Sequence, residues 1–571
     1  MAMTPKKLVK LYKEKGSLKA SWRSIRGTDD NMSWVSFLKV YHAAVAEGLM
    51  EPLSVGAKPK TQHKDVVANA TPKSKPRPGG QLRAMQPGGF ETPPEGQVYS
   101  YILTCAQNNT KLHEKLWQNM LALKDYLDAD LLVSRFAYMK LGLGAKGDKG
   151  AFTKRERLGG SEDRWWDSRI EPYLCDTREE LAPGLVWCGE MNILPTAVRP
   201  LSGLEVYTGR RSGIFPHVKI QMQSIASARG EPAKFNYTTG TLTQRNYIQR
   251  KEGLKAEFHH CYGGLLVQVD SDGDWFPIQL NANSEGVIYA YDMRVKDGEV
   301  TTGHRVKGIT WGDIHVAEGD KGAYDIAWGA NGMLDELKPE YQFLHDVLHF
   351  RGRSHHEMKN PHTMFRRYIQ GAEDIRKEVT DVAAFLRLAF RPWCKSVIVD
   401  SNHHHHLARW LQEQDGREDP VNCEFWLAMS ARVYDCIHRG LSPNYLYLAL
   451  REIGVAKPEK LAQFLAEDES FILCPDDHGG IENGMHGDTG PNGRPGSPLA
   501  YARMGRRMNR GHEHSASIVD GVFTSGTCGV LDPDWTHGPS SWSHSQILTY
   551  ENGKRAIVTF WNGKWRAKGS G

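Results

Sequence analysis

From Val306 onward, short apolar runs of strand-like character repeatedly break into Asp, Asn or His. Val306-Lys-Gly-Ile-Thr-Trp-Gly leads into Asp313-Ile-His315, and Lys395-Ser-Val-Ile-Val-Asp400 leads into Ser401-Asn402-His403. Phe471-Ile-Leu-Cys opens a polar stretch with His478, His486 and Asp488, and the series ends in Arg510-Gly511-His512-Glu513-His514. Apolar strands feeding polar turns favour an α/β sheet, whose sites form where the strands end. Residues two apart on extended backbone point the same way, so Asp313 and His315 can reach one ion, and His512 and His514 can be directed to a common cluster.

The run His403-His404-His405-His406 has the composition of an affinity tag, yet it lies mid-chain between an apolar strand and a helix expected over Leu407–Gln412. Four adjacent side chains cannot all face one ion. Asn402 and His403, which come first after the strand, are therefore the candidates. Gly511 relieves crowding in front of two imidazoles. Mixed Asp and His donors suit manganese, iron or zinc, whereas carboxylates alone lean toward magnesium. Each short motif arises often by chance; the order of the set carries the information.

Taken in order, Asp313-x-His315, a lone Asp346, Asn402-His403, a lone His486 and Gly511-His512-x-His514 resemble the signature of the calcineurin-like metallophosphoesterase superfamily over Val306–Trp565. The resemblance implies an α/β fold with a two-sheet sandwich flanked by helices, two divalent metal ions with Mn2+ first among Mn, Fe, Zn and Mg, and phosphoester hydrolysis. It implies that Asp313, His315 and His514 hold one ion, that Asn402, His486 and His512 hold the other, and that Asp346 bridges them. His403 would act on the scissile phosphate, as general acid or by stabilising developing charge. Two ions about 3.5–4 Å apart polarise the phosphorus centre and acidify a water for in-line attack.

The chain departs from that pattern in two places. Leu344-His345-Asp346-Val347-Leu348-His349 lacks the usual Gly-Asp, which leaves Asp320, Asp325 and Asp335 as competitors for the bridging position. His404 stands where an acidic residue normally follows Asn-His, and His478 or Asp488 could replace an assigned ligand.

A metal pair does not identify the ester, so the rest of the chain must. Residues 1–90 hold 16 Lys and Arg against 6 Asp and Glu, a net of +10 that leaves −5 for the remainder of a chain whose total is +5. A basic leader on a mildly acidic body suits an anionic partner. Arg366, Arg367, Arg503, Arg506, Arg507 and Arg510 add positive charge near the motifs, with Met504 and Met508 expected to face inward. This layout resembles the superfamily's DNA nucleases that process double-strand ends, and its phage-encoded nucleases that degrade host DNA early in infection. DNA is the expected substrate. The alternatives are a small-molecule or nucleotide phosphodiesterase or phosphatase, a DNA-binding regulator with a degenerate metal domain, and an interaction protein; assembly into a homo-oligomer stays open.

The 571 residues are read as four segments. Residues 1–50 show three short helical stretches, around Leu8–Tyr12, Leu18–Ile25 with Trp22, and from Trp34, compatible with a helix-turn-helix module or with a three-helix cap. Residues 51–97 are rich in Lys, Pro and Gly, as in a flexible basic linker. Residues 98–300 read as an accessory mixed α/β domain: a strand, helix and strand first, then short strands in which His217, Lys219, His259 and His260 have structural or surface roles. Asp270, Asp272 and Asp274 there read as a hairpin turn rather than a calcium loop. Residues 301–571 form the ligand-bearing domain. No run reaches the roughly 18 apolar residues of a membrane span, and the N-terminus lacks a signal peptide's apolar core, so a cytoplasmic location is expected, that of the host for a phage protein. Nine cysteines without a CxxC pair read as reduced thiols.

Overall fold

The computed structural model describes residues 4–15, 21, 24–25, 34–47, 49, 85–86, 89–138 and 165–567. The chain divides into two compact units, Met1–Val66 and Val67–Gly571. The first contains helices Pro5–Lys15 and Trp34–Ala46, and its core gathers Leu8, Ile25, Phe37 and Tyr41. Most of the expected middle helix, Trp22 included, lies outside the described residues, as do residues 51–84 of the expected linker.

The second unit is α/β. Its first part is a four-stranded sheet in which Val98–Gln107 pairs in parallel with Asp130–Phe136 and antiparallel with Gly263–Asp270. Parallel neighbours need a crossover, and helix Glu114–Tyr126 supplies it. His113 caps that helix by accepting from the Leu116 amide, and Leu116, Trp117, Met120 and Leu123 form its buried face. The hairpin from Gly263–Asp270 to Trp275–Asn281 turns on Asp270, whose Oδ1 accepts from the amides of Asp272 and Asp274. Lys564 inserts its ammonium among all three carboxylates, so an internal cation already occupies the place between them.

Ten strands carry the site region: β1 (Gly308–Thr310), β2 (Tyr341–Leu344), β3 (Lys395–Ile398), β4 (Gln463–Phe464), β5 (Ile481–Glu482), β6 (Arg507–Arg510), β7 (Ser517–Val519), β8 (Val522–Thr524), β9 (Ser545–Thr549) and β10 (Arg555–Thr559). One six-stranded sheet runs β4-β3-β2-β1-β9-β10, with β1 to β4 parallel. All four therefore end on one edge, and the loops that follow β1, β2 and β3 begin there side by side. Gln342 on β2 is fully buried: its carbonyl accepts from the indoles of Trp311 (3.0 Å) and Trp328 (3.1 Å), and its amide donates to Ala389 and Ser396. A buried amide with both ends satisfied fixes β2 in register.

The larger sheet, of ten strands, contains parallel β5 and β6, then β8 and β7, and continues through Met222–Ile225 and four more strands from residues 178–238. Strands from both sides of residue 300 thus share one hydrogen-bonded ladder. Asn509 on β6 donates to Asn483 and to Thr549 on β9, and Thr310 on β1 donates to the same Asn483 oxygen. These bonds tie the two large sheets together close to where their loops meet.

Three helices flank the six-stranded sheet on the site side: α1 (Pro361–Gln370), α2 (Ile375–Ala389) and α3 (Asn402–Glu413). The histidine run opens α3 rather than preceding it, so the expected start at Leu407 is five residues late. Helical spacing then sends the four rings different ways. His405 pairs with Asp400 at 2.7 Å, His404 is buried, and the rings of His403 and His406 lie 4.7 Å apart on a common side. Among the described residues no helix is long and apolar enough to cross a membrane.

Candidate metal centre

Five loops, each leaving one of the strands β1, β2, β3, β5 or β6, converge on one point. Backbone bonds lock the first two together: the His345 carbonyl accepts from Ile314 and the Asp346 carbonyl from His315, at 3.0 and 2.8 Å. The loops after β5 and β6 join through Gly511 N to the His486 carbonyl at 2.9 Å. Asp313 then links the two pairs, because its Oδ2 accepts from the His512 amide at 2.8 Å. Gly511 is required here: a Cβ at this position would stand 2.2 Å from Asp313 Oδ1.

Two buried carboxylates lie among imidazoles. Asp313 Oδ2 is 3.1 Å from His514 Nε2, and its Oδ1 is 3.9 Å from His486 Nδ1. Asp346 Oδ2 is 3.2 Å from His486 Nε2 and 3.8 Å from His315 Nε2. The ligand atoms of Asp313, His315, Asp346 and His514 all lie within 4.8 Å of one another, and so do those of Asp313, His345 and His486. His512 stands at the margin, its ring centroid 5.2 Å from that of His486. Asn402, the first residue of α3, is half-buried with its Oδ1 enclosed.

The residues fit a pair of cations. Asp313 Oδ1, Asp346 Oδ1, Asn402 Oδ1 and His514 Nδ1 are all buried without a hydrogen-bond partner. Buried polar atoms are normally satisfied, and these four are lone-pair donors of the kind that bind divalent ions. Burial alone would raise the Asp313 carboxyl, but His486 and His514 outweigh it and hold it below the ordinary range. Asp346 is held well below that range, as His486 and His403 overcome the same burial. Burial depresses His315, His349 and His345, the last to about 3, and leaves those rings neutral, the form that ligates. His486 goes the other way: burial disfavours its charge, yet Asp346 and Asp313 draw it up to about 9. Its position between two carboxylates has a negative potential that attracts a cation.

The backbone reinforces this. His315, Asp346, His512 and His514 have φ of 47, 46, 77 and 56°. Left-handed backbone costs an L-residue about 1–2 kcal/mol, although Asp and His tolerate it better than most. Strained residues of this kind cluster at functional sites.

Several neighbours were not singled out by sequence pattern. His349 Nδ1 is 3.0 Å from His315 Nδ1, and its ring stacks on His403 at 5.0 Å. His345 Nδ1 is 3.2 Å from His486 Nδ1. Trp542 packs edge-on against His514, and Trp535 donates to Glu318, which pairs with Arg351. The sequence signal for His345 and His349 was their place beside Asp346; for the tryptophans there was none.

None of the competing residues joins the cluster, although the charge of Asp488 reaches His486 and His512. Asp320 caps helix Lys321–Trp328 and Asp335 pairs with Arg391. His478 is exposed, and Asp488 accepts from Thr489. The arginine expectation needs correction. Arg510 is fully buried and braces the Gly487 carbonyl, Arg506 and Arg507 pair with Glu482 and Asp476, and Met504 is exposed while Met508 is buried. With β6 running into the centre, its alternate side chains are consumed by packing and bracing. His217, Lys219 and His260 are buried and structural: His217 meets the Leu194 carbonyl, Lys219 the Val198 carbonyl, and His260 the Tyr247 hydroxyl.

No family profile matches the chain, and no solved structure matches it. A curated phage protein does: Protein A1 of Escherichia phage T5 is 36% identical over 481 residues, covering 82% of this chain and 83% of that protein.

Proposed function

The chain belongs to the family of Protein A1 of Escherichia phage T5, and from that premise and the His/Asp centre we propose that it is a metal-dependent phosphodiesterase acting on DNA. One observation carries the reading: two buried carboxylates, Asp313 and Asp346, each approach histidines on both sides of the cluster while keeping an unpartnered oxygen.

In this reading Asp313, His315 and His514 would hold one ion, and Asn402, His486 and His512 the other. Asp346 would serve both, and the calcineurin-like pattern of ligands is the guide to that division. Mixed oxygen and nitrogen donors favour manganese, with iron and zinc as close rivals. The ions would supply positive charge for the phosphoryl oxygens and acidity for a nearby water. The protein's own part is to hold the ligands in place, to keep the His315 and His512 imidazoles neutral by burial, and to set His403 beside the cluster. His403 lies 4.6 Å, ring to ring, from His315, within reach of a phosphate seated on the ligands.

DNA as the substrate is supported by the +10 leader, since a polyanion gains from many dispersed cationic contacts and loses them in salt. The test is digestion of circular and linear duplex DNA with and without Mn2+. Cleavage that needs the metal and stops with EDTA is expected, and the circle separates internal cutting from cutting at ends. Intact DNA and intact bis(4-nitrophenyl) phosphate in Mn2+, Fe2+, Zn2+ and Mg2+ would overturn the reading.

A further inference from the structure

On the far side of His349 from the cluster lies a cavity of about 300 Å3. Helix α1 forms one wall with Thr363, Arg366, Arg367 and Gln370, spaced three to four residues apart and therefore on one face. The helix is well anchored for this. Asn360 caps its start by accepting from the amides of His362 and Thr363, and Gly371, with φ of 62°, closes its end. Trp535, 42% exposed, forms another wall, with its indole N–H fixed on Glu318 at 2.8 Å.

Arg367 makes the cavity more than a crevice. It is 3% exposed and pairs with Glu357 through Nη2, but its Nη1 is buried with no hydrogen-bond partner. Burial, and then the neighbouring Arg351, pull this guanidinium down to about 10, so an anion there would be welcome. Arg351 is already committed to Glu318 at 3.2 Å. Arg366 stands exposed at the rim, and Asp534 and Glu357 are the acidic groups of the lining. Guanidinium groups match phosphate oxygens in geometry, and an exposed indole beside them offers a face on which any base can stack.

We infer that this cavity is the subsite for the nucleotide next to the scissile phosphodiester, with Arg367 and Arg366 receiving its phosphate and Trp535 its base. The inference rests on the phosphodiesterase reading for its orientation. His349 is the shared wall: one side contacts His315 and His403, the other faces the cavity. A strand entering the subsite thus runs directly onto the metal ligands.

The experiment uses the full chain and two readouts. Photocrosslinking of a 5-iodouracil-substituted oligothymidylate in EDTA, mapped by peptide mass spectrometry, should place a crosslink at Trp535. Arg366→Ala, an exposed change, should cut its yield about tenfold, the scale of one lost charge-assisted contact. In Mn2+, the ratio of kcat/KM for the oligothymidylate to that for bis(4-nitrophenyl) phosphate should fall by a similar factor in Arg366→Ala and Trp535→Ala. Crosslinks that map only elsewhere, or equal losses on both substrates, would overturn the subsite. A Trp535 crosslink sensitive to Arg366, in a protein that hydrolyses neither substrate, would leave the subsite standing and remove the phosphodiesterase reading instead.

Discussion

His403 donates its Nδ1–H to the carbonyl oxygen of His349 across 2.9 Å. A carbonyl can only accept, so this bond places a proton on Nδ1 and leaves Nε2 as the nitrogen that faces the chemistry. The tautomer is thereby set by a loop that also carries Asp346. Replacing His403 with Ala should leave two metals bound and the melting temperature nearly unchanged while lowering turnover about 100-fold or more, the usual scale for a positioned acid–base group. Metal analysis and steady-state rates on one preparation check this; equal turnover would end the role assigned to His403.

Asp346→Asn should act on the metals themselves. The change removes the charge that holds His486 up and one candidate bridging oxygen. Bound manganese, measured by mass spectrometry, should drop from two ions to one or none. Added Mn2+ should stabilise the unsubstituted protein by about 2.7 kcal/mol at a hundredfold excess over its dissociation constant, and Asp346→Asn should lose most of that rise in thermal unfolding.

A separate prediction concerns Glu378 on α2, buried behind the Arg351 loop, where it accepts from the amides of Arg351 and Gly352. Burial pushes its carboxyl up to about 7, whereas in the unfolded chain it titrates near 4.3. Because the folded value is the higher one, its contribution is intact below about pH 4.3 and is lost as pH climbs through 7, at a cost of about 3 kcal/mol. Glu378→Gln should flatten that part of the stability profile, so that the variant gains on the parent between pH 5 and 8 in denaturant titrations run at about equal ionic strength. Parallel profiles would show that Glu378 is not the titrating group.

Deleting residues 1–90 should weaken duplex binding far more than hydrolysis of bis(4-nitrophenyl) phosphate, because it strips a net charge of +10 and no metal ligand. The salt dependence of duplex binding should become shallower in the same variant. Equal losses on duplex and small diester would contradict a search role for the leader.

Some of this was legible before any coordinates. Asp313-x-His315 and Gly511-His512-x-His514 stand out on the expectation that a strand end sets residues two apart in one direction; Gly511 does make room for Asp313, but His315, His512 and His514 lie beyond the strand ends on left-handed backbone. The segment Asp270–Asp274 is readable as a turn, though Lys564, which pairs with its carboxylates, is nearly 300 positions away and no local pattern reveals it. His345 and His349 were visible only as neighbours of Asp346, since their role depends on left-handed backbone at Asp346 and Phe350, with φ of 46 and 57°, which periodicity does not encode. Trp535 and Trp542 sit in irregular backbone after β8; only tertiary packing brings them to the centre. The long sheet that passes from residues 178–238 into 507–524 is equally non-local.

That last ladder has a genetic corollary. Met222 faces Ile518 across it, four residues beyond His514, so a segment that bears no ligand holds the strand that follows a ligand loop. Substitutions near Met222 should therefore surface as loss of bound metal rather than as a defect of their own neighbourhood, and the two halves of the chain should be inherited together rather than shuffled apart.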